Sequence, residues 1–413
     1  MGILQRYPAF RSLWIGQLFS QLGNAVFLIM GLWEIQLRSP VLLSVAGIAM
    51  VLPTLLAAGG GVIVDRYDAG RLMLWTDILR GVAVAAGLAA LLIPGSLVPD
   101  VIALLAVNSL GIALFGPAEA IMVPRLVGAD DLAAANGVYN LTNQISTAVG
   151  SAIGGAAIAA VGAVWVFGFD MGSFWISALA ISLMLRAVLR TSKRQPAPSG
   201  SQGPQSSFGA SMREGFAVVR KLPAVIDLLP VILLLNFAFM AAFTMLPYWI
   251  HHVLHASAFW YGLINAGWAA GAIVGSLSTG YFRRMSTRGV STLMFGLMGL
   301  FFGAFALSGT PLLSGGLLLL AGIANSVGNA VMFTLFQRII PEEVRGRAFG
   351  LIFTIFGLAN PLGSLAAGLL LHLLPLYWSW ALGVLSSLAL TIGMWRLVPA
   401  DLGTAEEPAA SVD

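Results

Sequence analysis

The sequence has no cysteine. Disulfide frameworks, thiolate nucleophiles and sulfur-ligated metal sites are therefore excluded, and the redox compartment leaves no mark. Charge is scarce as well: 9% of the 413 residues are Asp, Glu, Lys or Arg, against about 25% in ordinary soluble domains. With 21 basic and 17 acidic side chains, a water-soluble globule of this length could not be wetted, so most of the surface faces lipid. The net charge of +4 does not mark a nucleic-acid binder, because the basic residues sit in short loops between apolar runs and form no basic helix or aromatic-interleaved stripe. There is no P-loop pattern, so ATP hydrolysis within the chain is unsupported. No enzyme activity and no cofactor are expected.

What the chain has in abundance is apolar: 58% of residues are hydrophobic and 48 are glycine. Reading apolar runs of about 20 residues as membrane spans gives twelve, centred near residues 24, 53, 82, 110, 147, 175, 237, 269, 299, 324, 358 and 387. The expected fold class is an all-α integral membrane protein of twelve transmembrane helices. Gly and Pro interrupt many runs, as bundles of spans tolerate, and the glycines serve close helix packing. An even number of spans puts both termini on one side. Arg6, Arg11, Arg66, Arg71, Arg125, the cluster from Arg186 to Lys221, Arg283 to Arg288 and Arg338 to Arg347 occupy that side, and only Arg38 falls opposite. The positive-inside bias predicts cytoplasmic termini. The first span is longer than a signal-peptide core and lacks a small-residue cleavage site, so it is read as retained.

One long polar segment, TSKRQPAPSGSQGPQSS from Thr191 to Ser207, reads as a flexible linker. MREGFAVVRKL, from Met212 to Leu222, has the spacing of an interfacial helix. The expected organisation is a six-helix bundle over 1–190, a cytoplasmic linker over 191–222, a second six-helix bundle over 223–399 and a cytoplasmic tail over 400–413. The halves repeat weakly: a shift of 213 residues pairs Gly137 with Gly350, Gly150 with Gly363, Ser151 with Ser364 and Gly155 with Gly368. Two related bundles joined by a linker is transporter architecture, with a substrate path between them.

The chain resembles the major facilitator superfamily over essentially its whole length. GGVIVDRYDAGRLMLWTDILRG, from Gly60 to Gly81, is similar to the signature loop between the second and third helices, with Gly61, Asp65, Arg66 and Arg71 in its positions. Asp68, Ala69 and Gly70 stand where the signature carries further basic or glycine residues. Asp65, Arg66, Arg71, Asp77 and Arg80 can form a charge network that locks the cytoplasmic side; the alternative is that they are topology residues. Gly150-Ser151-Ala152-Ile153-Gly154-Gly155 resembles the glycine-proline signature of antiporters, with Ser151 replacing the proline, and ordinary helix packing explains the same glycines. FRSLWIGQLFSQLGN, FGPAEAIMVPRLV, FDMGSFWISALA and EEVRGRAFGLIFTIFGLANPLGSLAAGLL are similar to the bacterial drug:proton antiporter branch that includes macrolide-efflux-like proteins and the enterobactin exporter.

Carboxylates inside spans are costly and mark function by default. Three are proton-coupling candidates: Glu34 near the outer end of the first span, Glu119 in the cytoplasmic third of the fourth and Asp170 in the outer part of the sixth. Each has a structural alternative. Glu34 can pair with Arg38 at i+4, Glu119 with Arg80 or Arg125, and Asp170 can be a hydrogen-bonding scaffold residue. Asp227 is expected to cap the seventh helix. The resemblance implies a cavity drawn from helices 1, 4, 7 and 10, with support from 2, 5, 8 and 11. Substrate-cavity candidates there are Gln21, Asn24, Asn140, Asn143, Asn236, Phe237, Met240, Asn265, Trp268, Asn329, Phe333 and Asn360. Such a lining suits bulky amphiphiles or lipophilic cations. His251, His252 and His255 lack an acidic partner and read as a solvated turn, so no metal is expected.

The expected function is proton-coupled efflux of a hydrophobic or amphiphilic small molecule by alternating access, from a monomer in a bacterial cytoplasmic membrane, with the proton gradient as energy source. Export or flipping of a siderophore, lipid or metabolite by the same fold is the alternative in transport. A membrane scaffold or sensor that moves nothing is the alternative of another class.

Overall fold

The computed structural model describes residues 2–39, 41–57, 67–192, 216, 220, 223–282, 285–340, 342–369, 375 and 377–398. Among these, the regular structure is helical. The α-helices in chain order are α1 (Ile3–Arg6), α2 (Pro8–Arg38), α3 (Val41–Ala57), α4 (Ala69–Ala90), α5 (Leu97–Leu126), α6 (Leu132–Ala160) and α7 (Ala163–Ser192). They continue with α8 (Pro223–Thr244), α9 (Leu246–His252), α10 (Ala258–Ser278), α11 (Thr287–Leu307), α12 (Pro311–Ile339), α13 (Glu342–Leu369) and α14 (Trp378–Leu397). Each of the twelve span centres read from the sequence falls inside one of these helices.

Eight helices among the described residues are long and apolar enough to cross a membrane: α2, α4, α5, α7, α8, α11, α12 and α14. The helix α3 has 17 residues, and α6 is diluted by Asn136, Asn140, Thr142, Asn143, Gln144 and Ser146. Local chemistry sets several starts. The Asp68 carboxylate accepts from Arg71 N–H at 2.9 Å to cap α4, and Ser286 Oγ accepts from Gly289 N–H at 3.0 Å to cap α11. Prolines open α2, α9 and α12, where a missing N–H costs nothing. The seventh span is split: α8 ends at Thr244, Met245 caps α9, and Pro247 lies in its first turn. A proline cannot continue the hydrogen-bond ladder of the preceding helix. Asp227 is exposed and four residues past the start of α8, too deep to cap it; the helix opens at Pro223 instead.

The chain divides into two compact units, one of Met1–Gln205 with Thr244–Ala266, the other of Ser206–Phe243 with Gly267–Asp413. In the first unit, α2 packs against α6 and α7, and α4 against α5 and α7. Phe10, Leu13, Met73, Phe115, Ile181 and Met184 form a buried core there. Below it, Arg6 forms a 2.8 Å ion pair with Asp131, and Tyr7 donates its hydroxyl to the same Oδ2 at 2.9 Å. The stretch from Thr244 to Ala266 joins this unit through Trp33 of α2, which stacks on Tyr261 at 6.0 Å and meets His251 edge-on at 5.5 Å. In the second unit α11 packs on α12 and α14, and an aromatic core links Trp268, Phe302, Phe305 and Trp380.

The internal repeat has a structural counterpart within each unit. A Cβ on Gly150 of α6 would meet the Leu22 carbonyl at 3.1 Å and Ala25 Cβ at 2.6 Å on α2. On Gly363 of α13 it would meet the Phe237 carbonyl and, at 3.1 Å, Met240 Cβ on α8. The two glycines paired by the 213-residue shift thus each sit where a neighbouring helix leaves no room for a side chain.

Candidate functional site

The first unit buries a group of charges among α4, α5 and α7. Asp77 and Arg80 follow the Asp68 cap by nine and twelve residues, or about 14 and 18 Å at 1.5 Å per residue. Half the hydrocarbon thickness is about 15 Å, so the pair lies deep in the span. Asp77 is 1% and Arg80 4% exposed. Arg80 Nη1 stands 3.5 Å from Asp77 Oδ1, and Nη2 donates to the Asn108 carbonyl of α5 at 2.8 Å. Ser177 of α7 donates to the other Asp77 oxygen at 2.5 Å. The guanidinium carbon lies 5.2 Å from the Phe174 ring centre, within cation–π range.

Asp170 of α7 completes the group. It is 2% exposed and acts electrostatically on Arg80, with no ion pair between them within 4.0 Å. Both line a cavity of about 10 Å³ walled by Phe27, Val84, Leu104 and Phe174. Two glycines make room for the charges. A Cβ on Gly111 of α5 would fall on Arg80 Nε, and one on Gly23 of α2 would come within 2.8 Å of Asp170 Oδ1.

The other predicted residues are placed as follows. Glu119 is half-buried beside Tyr139 of α6 and within electrostatic reach of Asp77. The Tyr139 hydroxyl interacts with the Glu119 carboxyl without a hydrogen bond of ordinary geometry among the described residues, and no ion pair joins Glu119 to Arg80 or Arg125 among them. Glu34 feels the charge of Arg38 without an ion pair within 4.0 Å. Of the loop signature, Gly61, Asp65 and Arg66 lie outside the described residues, as do the linker from 193 to 215, most of the expected interfacial helix and the tail from 399 onward. Arg71 is exposed near the start of α4, whereas Asp77 and Arg80 turn to α5 and α7.

In the glycine motif, Gly150 and Gly154 face α2, while Gly155 faces α10. A Cβ on Gly155 would lie 2.8 Å from Gly262 Cα, and one on Gly262 would strike the Ser151 carbonyl. The amides divide into two kinds. Asn236, Asn265 and Asn329 turn back to carbonyls of their own helices, those of Ile232, Tyr261 and Asn325. Gln17, Gln21 and Asn24 share one face of α2 at i, i+4 and i+7, and each keeps a buried polar atom without a partner among the described residues. Asn140 and Asn143 are exposed and Asn360 is half-buried. Trp268 joins Phe239 and Phe243 at 5.1 and 5.0 Å, Phe333 stacks on Phe349 at 5.6 Å, and Phe237 and Met240 lie under Gly363. At the end of α9, His251 and His252 rings meet at 4.7 Å. Partial burial, then the neighbouring His251 and His255, hold His252 below the usual imidazole range. Among the described residues no group of three His, Asp or Glu is arranged to hold a metal ion.

The family described as Major Facilitator Superfamily matches residues 13–364 and 261–412. The chain belongs to this superfamily. It is therefore a secondary transporter and not an enzyme, a multi-pass membrane protein of the major facilitator fold. Among curated relatives, it is 28% identical over 370 residues to the enterobactin exporter EntS of Citrobacter koseri, spanning 85% of this chain and 82% of the relative. It is 26% identical over 375 residues to macrolide efflux protein A of Streptococcus pyogenes, spanning 87% and 88%. Among solved structures it is similar to a bacterial homologue of the iron transporter ferroportin in an inward-facing state, with a TM-score of 0.71, 17% identity, and coverage of 96% of this chain and 99% of that one. The peptide transporter POT gives a TM-score of 0.68 at 14% identity, covering 98% and 96%. These structures speak to the fold.

By sequence Asp77 and Arg80 belong to a charge network or to the topology residues, and Asp170 stands apart from them; in the structure both carboxylates act on Arg80. Ser177, the Asn108 carbonyl and the glycines at 23 and 111 were missed. One signal was present: Ser177 follows Asp170 by seven residues and so shares its helix face. The choice of Gly23 and Gly111, from 48 glycines, has no local signal.

Proposed function

We propose that this superfamily member exports a hydrophobic or amphiphilic small molecule in exchange for protons, by alternating access of two pseudo-symmetric six-helix bundles across a bacterial cytoplasmic membrane. The bundles are assigned to 1–190 and 223–399, with a cytoplasmic linker over 191–222, a tail over 400–413, cytoplasmic termini and a monomeric working unit. Protons enter from outside on a carboxylate among Glu119, Glu34 and Asp170, and substrate leaves in the opposite direction. The observation that carries this reading is the polar face of α2. Gln17, Gln21 and Asn24 hold hydrogen-bonding capacity that the described protein leaves unused, which suits a ligand with dispersed polar groups better than a densely charged one. The aromatic group at Phe239, Phe243 and Trp268 supports an amphiphilic cargo, and the macrolide efflux relative supports export. Gly61, Asp65, Arg66 and Arg71 are assigned to a cytoplasmic gate whose helix Asp77 and Arg80, deeper on α4, tie to α5 and α7, and Gly150, Ser151, Gly154 and Gly155 to the bending of α6.

The test is efflux of a lipophilic cation from proteoliposomes under an imposed pH gradient. Gradient-driven efflux that falls at least tenfold in one of Glu119→Gln, Glu34→Gln or Asp170→Asn supports the reading. Efflux that persists unchanged in all three removes proton coupling through these acids. A second reading, export of a siderophore, is favoured by the similarity to EntS; thermal stabilisation by siderophores and not by drugs or lipids would select it. Absence of any transport, together with retention of a specific protein partner, would favour a scaffold.

A further inference from the structure

Two carboxylates, Asp77 and Asp170, share one guanidinium, that of Arg80. Asp77 takes the near position, held by Arg80 at 3.5 Å and by Ser177 at 2.5 Å. Asp170 stands beyond ion-pair distance. Arg80 Nε and Asp170 Oδ1 are both buried without a hydrogen-bond partner among the described residues, and both residues line the same cavity of about 10 Å³. A polar cavity needs about 10–15 Å³ and two to four polar partners to hold one water, and this one meets the lower bound with Arg80, Asn108 and Asp170 in its wall. The charge count is also incomplete. Asp77 and Arg80 neutralise each other, which leaves the Asp170 carboxylate without a counter-charge in a low-dielectric setting, where an unpaired charge is expensive. A proton on Asp170 makes the set neutral.

We infer that Arg80, Asp170 and the cavity they share form a proton-holding site, in which a single water bridges Arg80 Nε to Asp170 Oδ1 and one exchangeable proton resides on Asp170. The site's place in transport rests on the proton-coupled reading above; the bound proton itself does not. The balance is simple: the proton arrives through the bridging water, adds to a carboxylate oxygen and later leaves as a proton, with no change of oxidation state. Titratable groups facing Asp170 are Arg80 and, behind it, Asp77 from α4, with Glu119 of α5 acting through Asp77. The helix α6 carries only Tyr139, next to Glu119. On α2, Gly23 faces Asp170, and Arg11, Glu34 and Arg38 lie eleven or more residues away along the helix, about 16 Å or more. On α7 itself, the nearest other titratable group is Arg186, sixteen residues on.

The test is infrared difference spectroscopy of the full-length protein in lipid nanodiscs between neutral and acidic pH, in H2O and D2O. A carbonyl-stretch band of a protonated carboxylic acid is expected in the wild type, lost in Asp170→Asn, and retained in Glu119→Gln. Asp170→Glu should keep the band at a shifted frequency, a result that a purely structural hydrogen bond would not give. Val84→Ile, which adds a methyl group at the cavity wall, should remove the deuterium-sensitive water band while the protein keeps its thermal transition. A carboxylic-acid band unchanged in Asp170→Asn, or absent from the wild type, overturns the inference, as does a frequency unmoved in Asp170→Glu. Band loss in Asp170→Asn without pH-driven efflux would leave the site standing and remove the coupling. Efflux driven by pH with the band intact in Asp170→Asn would do the reverse.

Discussion

Ser177 on α7 donates its hydroxyl hydrogen to Asp77 Oδ2 on α4 at 2.5 Å, with both groups buried. A hydrogen bond to a charged acceptor contributes about 1.5–3 kcal/mol. Ser177→Ala is expected to lower unfolding free energy by about that amount, read as an earlier tryptophan-fluorescence melt in detergent. A melt identical to wild type would show that the bond carries no stability.

Arg80 and Asp77 should be strongly coupled. Removing one partner of a buried pair costs about 3–5 kcal/mol, whereas replacing both is far milder. Arg80→Met alone is therefore expected to melt earlier than the double variant Asp77→Leu with Arg80→Met. A double-mutant cycle on thermal stability checks this; simple additivity would mean that the pair is independent.

The contact between α6 and α10 tolerates no side chain at residue 262, because a Cβ there strikes the Ser151 carbonyl. Backbone must shift to admit one, and overpacking costs about 1–3 kcal/mol. Gly262→Val should reduce the folded yield on size exclusion more than Gly262→Ala. Wild-type yield for the valine variant would rule out the close approach.

At the other end, the Arg6–Asp131 pair is solvent-exposed, with 65% of the arginine side chain accessible. Exposed pairs contribute about 0.2–1 kcal/mol and weaken with salt. Arg6→Ala should therefore change stability by less than about 1 kcal/mol. Asp131→Ala should cost more, since Tyr7 loses its acceptor too. Equal effects in the two variants would deny Tyr7 any share.

Helix positions were legible because length and hydropathy are set by the bilayer: each expected centre lies inside a helix, and eight of the described helices are long and apolar enough to cross a membrane. The split at Met245 was readable in principle from Pro247. The charge group was only half legible. Asp77 and Arg80, three residues apart on one helix face, announce a pair, but which neighbour receives them depends on helix rotation and on the glycines at 23 and 111, properties of packing and not of local sequence. Depth explains the rest: an arginine twelve residues inside a helix belongs to the middle of the membrane, whatever motif precedes it.

Gly150 and Gly363 offer something rare in a single chain: an internal control. The 213-residue shift pairs them, and each is pressed on a neighbouring helix, Gly150 on Leu22 and Ala25, Gly363 on Phe237 and Met240. Gly150→Ala and Gly363→Ala thus pose one question to two surroundings, and any disparity between their melts measures how differently the two surroundings yield to one added methyl group.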